Sequence, residues 1–409
     1  MPNIVPNIVI EISRDRSVSE SPVEIVERKG LGHPDYICDA SLEAASIALS
    51  KEYLKKTGRV LHYNLDKGLL VAGQADKGFG YGRIVEPMEL IIGDRATYSF
   101  GKVKLPVEAI VKDAVRAWFK ANLPLVDVKR HLKIRVALEP GSAALKGIFS
   151  EADAIMGAND TSAVVGSAPM TTTETAVYGM ERLINSADFK ARFPETGADV
   201  KVMGVRTADA LDITVACPFF ARLIKNEGEY FRKKAEALAA MRAFAKKLPF
   251  KRVSIGINTL DKRGQGAQGV YLTVIGTSAE DADSGQVGRG NRVSGVISLN
   301  RPSGAEAAAG KNPVSHVGKI YALLAHRMAH EARASISGIA EIDIWLVSKI
   351  GAPINRPHRI YVKIHPSEQG RSKVRQAAVK EQITRLIARR LSRIGAFTSE
   401  LMSGVYPIC

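Results

Sequence analysis

The order of periodic segments constrains this chain most. Short β-type runs alternate with amphipathic helical stretches, yet never in strict βαβ succession. Residues 41–57, "SLEAASIALSKEYLKKT", carry apolar positions at helical spacing and stop at Gly58. "PVEAIVKDAVRAWFKANL", 106–123, opens with proline at a plausible first helical position. Residues 173–186, 227–248, 314–334 and 373–394 read as helices too. Between them lie "LLVAG" 69–73, "MELII" 88–92, "LKIRVAL" 132–138, "LDITVAC" 211–217, "VYLTVIG" 270–276 and "IDIWLV" 342–347. Many of these alternate, which predicts half-buried antiparallel strands. The expected class is α+β, with helices on one face of mixed or antiparallel sheets. Strand pairs and helices recur loosely, which suits three similar, interleaved subdomains in one unit over 1–409. Residues 371–409 read as a basic C-terminal helix and tail.

Composition narrows the partner. With 45% hydrophobic residues among 409, a large core is available and disorder is not the default. The formal charge of +16 predicts an anionic partner: nucleic acid, acidic lipid or a polyphosphate metabolite. From Arg356 to Arg393 there are eleven Lys/Arg and only two acids, Glu368 and Glu381. The simplest reading is a solvated basic face. "KVRQAAVKEQITRLIARRLSR" spreads its bases over several helix faces with few aromatics, which argues against nucleic acid. Cys38, Cys217 and Cys409 are far apart, so neither a disulfide framework nor a zinc ribbon is expected. The start lacks a basic n-region, and no apolar run is long enough for a bilayer. The expectation is a cytoplasmic protein with no membrane partner.

Three polar stretches, 27–39, 139–162 and 277–316, are longer than ordinary connections and so read as functional. In the last, Asp281 could open a calcium loop, but its sixth and twelfth positions hold Gln286 and Arg292. "GAEAAAGKN" fails as a P-loop: Gly304 and Gly310 are one residue too far apart, and Asn312 stands where Ser or Thr would bind magnesium. What remains is hard oxygen from Asp281 and Asp283, positive charge from Arg289, Arg292, Arg301, Lys311 and Lys319, and glycines that let backbone N–H groups approach. That combination suits a magnesium–polyphosphate complex. In "ERKGLGHPDYICD", 27–39, Asp35 can ligate Mg²⁺ and His33 can donate to a phosphate or a leaving oxygen. Asp39 can cap the helix that follows.

"VERKGLGHPDYICD", "NDTS" with "APMTTTE", "YLTVIGTSAEDADSGQVGRGNRVSG", "AAGKNPVSHVGKIY" and "KIGAPINRP" occur in order over residues 22–362. Together they resemble the archaeal-type S-adenosylmethionine synthetases (methionine adenosyltransferases). The resemblance implies a three-subdomain α+β fold and a homodimer with active sites at the subunit interface. It implies ATP and L-methionine as substrates, phosphate and pyrophosphate as products, Mg²⁺ as cofactor and K⁺ as a further cation. Residue by residue, it implies catalytic roles for His33, Arg289 and Lys311. Triphosphate contacts would come from these and from Gly141, Ser142, Arg292, His316 and Lys319. Asp160, Asp283 and Gln74 would face methionine, or a methionine analogue. Asp35, Asp281 and Asp283 would hold metal.

The chemistry asks for such residues. A thioether sulfur is neutral and already nucleophilic, so it needs no general base. The barrier lies in alignment at ribose C5′ and in charge building on triphosphate, which positioning and fixed electrostatics address. The chain departs from the family pattern at Ala163 and Ser167, where rings are usual, at Glu139 and Pro140, and at Tyr36. These departures raise an altered methionine or nucleotide preference as an alternative. Further alternatives are adenosyl transfer to another nucleophile, hydrolysis of triphosphate alone, a catalytically inactive regulatory subunit, and a nucleic-acid-binding protein.

Overall fold

The computed structural model describes residues 7–141 and 155–409. In chain order the main strands are β1 (Ile8–Ile12), β2 (Val23–Lys29), β3 (Asn64–Val71), β4 (Met88–Ala96), β5 (Leu132–Pro140), β6 (Ala163–Ala168), β7 (Lys201–Thr207), β8 (Ala210–Ala216), β9 (Arg252–Ile257), β10 (Gly285–Gln286), β11 (Ile297–Ser298), β12 (Ile339–Val347) and β13 (Arg359–Pro366). They form three sheets. Sheet one runs β1-β13-β12-β6, sheet two β9-β8-β7-β2-β11 and sheet three β10-β3-β4-β5. Each sheet draws strands from distant parts of the sequence. Each also carries one parallel pair at an edge: β1 with β13, β8 with β9 and β4 with β5. The sheets are therefore mixed, although the alternating strand patterns alone predicted mostly antiparallel pairing.

The helices are α1 (Pro34–Thr57), α2 (Val107–Asn122), α3 (Thr172–Ile184), α4 (Ala187–Arg192), α5 (Glu227–Ala245), α6 (Val317–Ser335), α7 (Lys373–Ser392) and α8 (Ile394–Ser403). α6 packs on sheet one, α3 and α5 on sheet two, and α1 on sheet three. In β12, Ile342, Ile344 and Leu346 are fully buried on the face that meets α6. That is the period-two pattern of a strand with an apolar face. At Gly166 in β6, an added Cβ would lie 2.1 Å from the His326 nitrogen, so only glycine lets α6 cross the sheet so closely.

Several sequence expectations need correction. α1 begins at Pro34, seven residues earlier than residue 41, because proline is pre-organised for the first helical position. His33 is its cap, and Asp39 lies inside the helix. α1 stops where expected, at Gly58 with φ +73°. Likewise Pro106 sits just outside α2 as its N-cap. The polar stretch 27–39 is mostly strand and helix, with only Gly30–His33 between them. Of 270–276, only Leu272–Thr273 pairs, with Phe219–Phe220. Beyond it the Glu280 carboxylate takes the N–H groups of Val274 and Ile275 at 2.8–2.9 Å, and Thr273 Oγ takes that of Gly276. Side chains thus replace a neighbouring strand. The basic C-terminal segment is two helices, and it is docked. Val379, Ile383, Ile387 and Leu391 are buried, while Arg389 and Arg390 grip Glu331 of α6 at 2.5 Å.

Candidate active site

One face of α1 organises the site. Asp35, Asp39 and Glu43 follow at i, i+4 and i+8 and are all buried. Each carboxylate captures a backbone N–H of the long 277–316 stretch. Asp35 Oδ1 takes Gln286 N at 2.8 Å, Asp39 Oδ1 takes Gly288 N at 2.8 Å, and Glu43 Oε2 takes Gly310 N at 3.0 Å. The stretch is thereby laid along the helix. Burial raises the Asp39 carboxyl to about 7 despite these bonds.

The α1 cluster forms at the helix entrance. His33 Nδ1 accepts the Asp35 N–H at 3.2 Å. The lone pair is therefore on Nδ1 and the proton on Nε2. Burial, then the charges of Lys29, Lys201 and Arg289, pull the His33 pKa down to about 4, against a raising effect of Asp35. Near neutral pH it is an uncharged donor of fixed tautomer. Lys29 Nζ sits 2.8 Å from Asp35 Oδ2 and 2.6 Å from the Arg289 carbonyl. The Arg289 side chain is exposed beside them. Arg292 is one turn of chain further on, its guanidinium bonded to the Gly288 carbonyl. Asp283 is exposed and adds to the raised pKa, about 7, of buried Asp199. Burial is the leading cause of that shift. Asp281 is committed to Lys77 at 2.8 Å, and Gln74 is exposed at the start of the same ribbon as Lys77, Gln74–Gly78.

The α6 cleft is a second grouping. His62, Asn64, Asp66, Lys67, Asp94, Asn159, Asp160, Glu306, Lys311 and His316 line it. His316 repeats the His33 device: it caps α6, and its Nδ1 accepts the Gly318 N–H at 3.2 Å. Burial is the first cause holding its pKa near 3. Lys311 Nζ contacts Asp66, and Glu306 is 3.2 Å away. Burial would raise the Asp66 carboxyl, but Lys311 and Lys67 prevail and lower it. Among the described residues the buried side-chain oxygens of Asn64 and Asn159 have no hydrogen-bond partner, an arrangement suited to a ligand that donates. Gly141 adjoins His62 at the cleft edge, whereas Ser142 lies outside the described residues.

The structure thus groups His33, Asp35, Arg289 and Asp283 at one place, and Asp160, Lys311 and His316 at another. Asp35 and Glu43, which anchor the two ends, are eight residues apart, roughly 12 Å of helix. Lys319 joins neither group. Its side chain is 1% exposed, and its ammonium is spent on Glu43 at 2.6 and 2.8 Å. Asp66, Asp199, Asn64 and Lys29 went unnoticed in the sequence. An Asn-x-Asp in "NLDKG" places two polar side chains on one face of a strand, and that is the signal that could have found two of them.

As to metal, Asp35 already holds a cation, the Lys29 ammonium, and Asp283 has no ion pair among the described residues. Magnesium commonly uses one or two carboxylates and completes its shell with phosphate oxygens and water. Asp35 and Asp283 fit that use; Asp281, held by Lys77, does not.

The fixed tautomers carry a testable consequence. The folded pKa of His33 lies below the ordinary histidine value of 6.5, so its stabilising contribution is complete above that value and is lost as pH falls toward about 4. Nitrogen NMR is expected to show Nε2–H and bare Nδ1 at His33 from about pH 8 to about pH 5. A doubly protonated ring at about pH 6 would remove its assignment as a neutral donor.

Two helix N-termini capped by neutral histidines, flanked by lysine, arginine and paired carboxylates, define a class: an α+β protein whose donors and acids have the chemistry that suits a polyanion with a cation. Comparison with known proteins then specifies the family. Residues 6–405 match the S-adenosylmethionine synthetase (AdoMet synthetase) family. The chain is 40% identical over 405 residues to "Probable S-adenosylmethionine synthase" of Aquifex aeolicus, covering 98% of this chain and 99% of that one. It is 44% identical over 363 residues to the S-adenosylmethionine synthase of Pyrobaculum neutrophilum, covering 87% and 90%. A solved structure of an unusual S-adenosylmethionine synthetase from Campylobacter jejuni shares the fold, with TM-score 0.54, 17% identity, and coverage of 84% and 81%. The chain belongs to the S-adenosylmethionine synthetase family.

Proposed function

We propose that the protein is a methionine adenosyltransferase that makes S-adenosylmethionine from ATP and L-methionine. The observation that carries this reading is the family match across residues 6–405. The sulfur of methionine attacks ribose C5′, the S–C5′ bond forms, and the C5′–O bond breaks with its electron pair leaving on triphosphate. Water then cleaves triphosphate to phosphate and pyrophosphate. His33 donates through Nε2 to triphosphate oxygen, and Lys29, Arg289 and Arg292 add positive charge. Asp160, with the unpartnered oxygens of Asn159 and Asn64, receives the ammonium of methionine. Lys311 and His316 add donors for the triphosphate. Asp35 and Asp283 would hold Mg²⁺, which when bound would neutralise charge on the triphosphate.

The α1 cluster and the α6 cleft come together, in this reading, across a homodimer: one chain presents His33 and its partner presents Lys311. Incubation with ATP, Mg²⁺ and methionine, followed by mass spectrometry, is expected to reveal S-adenosylmethionine. Consumption of ATP without that product would overturn the reading. Rates without Mg²⁺, and with and without K⁺, test the cation requirement.

Among the described residues no helix is long and apolar enough to cross a membrane. The docking of the basic C-terminal helices on α6 leaves the nucleic-acid alternative without a specific observation in its favour.

A further inference from the structure

Sheet one carries a group of side chains that the reaction does not use. On β12, Ile342 and Ile344 point to α6, which puts Glu341 and Asp343 on the opposite face. His365 of β13 is the register partner of Glu341. A ring nitrogen of His365 and one carboxylate oxygen from each acid lie within 4.8 Å of one another. All three residues are buried, at 4%, 4% and 7% exposure.

We propose that Glu341, Asp343 and His365 form a binding site for a divalent first-row transition ion such as Zn²⁺, separate from the substrate site. Two independent features support it. The first is the orientation of the histidine. Its Nδ1 lies 3.2 Å from the Asp15 carbonyl. A carbonyl only accepts, so Nδ1 carries the proton and Nε2 keeps its lone pair. Metal-binding histidines are commonly held by such a bond from the other ring nitrogen. The second is uncompensated charge. Arg301 approaches Glu341 at 3.4 Å, but it is already matched by Glu174, which it grips through two bonds of 3.0 Å. Lys363, opposite Asp343, is matched by Asp15 at 2.9 Å. Glu341 thus shares one cation with Glu174, and Asp343 has no ion pair among the described residues; two buried carboxylates so under-compensated are costly unless a proton or a metal supplies the missing charge. Each has one oxygen engaged by a neutral donor, Val18 N on Glu341 Oε1 and Ser167 Oγ on Asp343 Oδ1. Among the described residues no hydrogen bond engages the second oxygen of either, which leaves it open to an ion.

The mixed donor set selects the class of ion. One imidazole with two carboxylates suits Zn²⁺ or Mn²⁺; an all-oxygen shell would be expected for Mg²⁺ or Ca²⁺. The site also has structural leverage. Glu341 holds Val18, in the segment that leads from β1 of sheet one to β2 of sheet two. A bound ion would fasten that crossing and raise thermal stability.

The test uses the full chain stripped with a chelator and then titrated with ZnCl₂ alone, in excess Mg²⁺ and without nucleotide or methionine. One zinc per chain and a higher melting temperature are expected. Asp343→Asn and His365→Ala should each weaken binding by at least the roughly 10–100-fold that loss of a supporting partner costs. Binding that is absent, or unchanged in both variants, overturns the proposal. Should the variants fail to fold, anomalous diffraction at the zinc edge from crystals of the unaltered protein decides. A peak between the three side chains supports the site, and a peak only elsewhere overturns it. None of these readouts depends on S-adenosylmethionine formation, so this inference and the proposed reaction stand or fall separately.

Discussion

Lys311→Ala is expected to lower kcat by roughly 10²–10³-fold, the usual cost of removing one well-placed donor from a developing anion. The fold should survive. Asp66, the main partner of Lys311, keeps Lys67 at 2.6 Å and Asn64 at 2.6 Å, so no buried carboxylate is stranded. His33→Ala is expected to be similarly impaired, and the pair makes a stronger experiment than either alone. If a complete site takes His33 from one chain and Lys311 from the other, homodimers of each variant lack both sites. A mixed dimer then has one site lacking both groups and one intact. Random exchange of equal amounts would make half the dimers mixed, with one of two sites restored, or about a quarter of normal activity. Steady-state product formation before and after subunit exchange reads this directly. Two inactive preparations that stay inactive after exchange, with mixed dimers confirmed by native mass spectrometry, would place the α1 cluster and the α6 cleft in one chain's site or in none. Near-normal rates in Lys311→Ala itself would mean that the roles are misassigned.

Local chemistry was more legible in the sequence than distant association. The run 41–57 announced a helix that stops at Gly58, and α1 stops there, although it begins earlier, at Pro34 with His33 as its cap. The alternation in "IDIWLV" announced a strand with one apolar face, and β12 has it. The α+β class followed from such segments. The failures come from pairings that no local pattern encodes. Asp35 meets Gln286 across 251 residues, and Glu43 meets Gly310 across 267. From sequence alone, Asp39 could be a cap and Glu43 a solvent-facing acid; only the arrival of the 277–316 stretch makes them anchors. Similarly, "VYLTVIG" has strand composition, but Glu280 takes the N–H groups of Val274 and Ile275, six and five residues before it, that a neighbouring strand would need. The histidine tautomers were also hidden. They depend on the backbone N–H two residues on, and hence on where each helix begins. His33 and His316 look unrelated in sequence and adopt the same cap.

Lys319 shows what that distinction means in energy. Its lysine-rich, glycine-rich surroundings suggested a triphosphate contact, yet its charge is buried against Glu43 and Ser46. Lys319→Met should therefore act on folding before it acts on turnover. It strands a carboxylate 8% exposed whose remaining partner among the described residues is the Gly310 N–H. Breaking a buried pair from one side costs about 3–5 kcal/mol. Part of that should return in Lys319→Met/Glu43→Gln, because a neutral amide in place of the orphaned carboxylate removes the unpaired charge, and Gln can still accept from Gly310 N through its carbonyl oxygen. Urea unfolding of the single and double variants measures both effects. At a temperature where all remain folded, the double variant should keep turnover within a few-fold of normal, because Lys319 does not line the α6 cleft. If stability is unchanged while turnover falls by orders of magnitude, the lysine meets substrate after all, and the buried pair would have to open for catalysis. That outcome would move a cation from the scaffold into the reaction and shift the boundary of the site inward along α6.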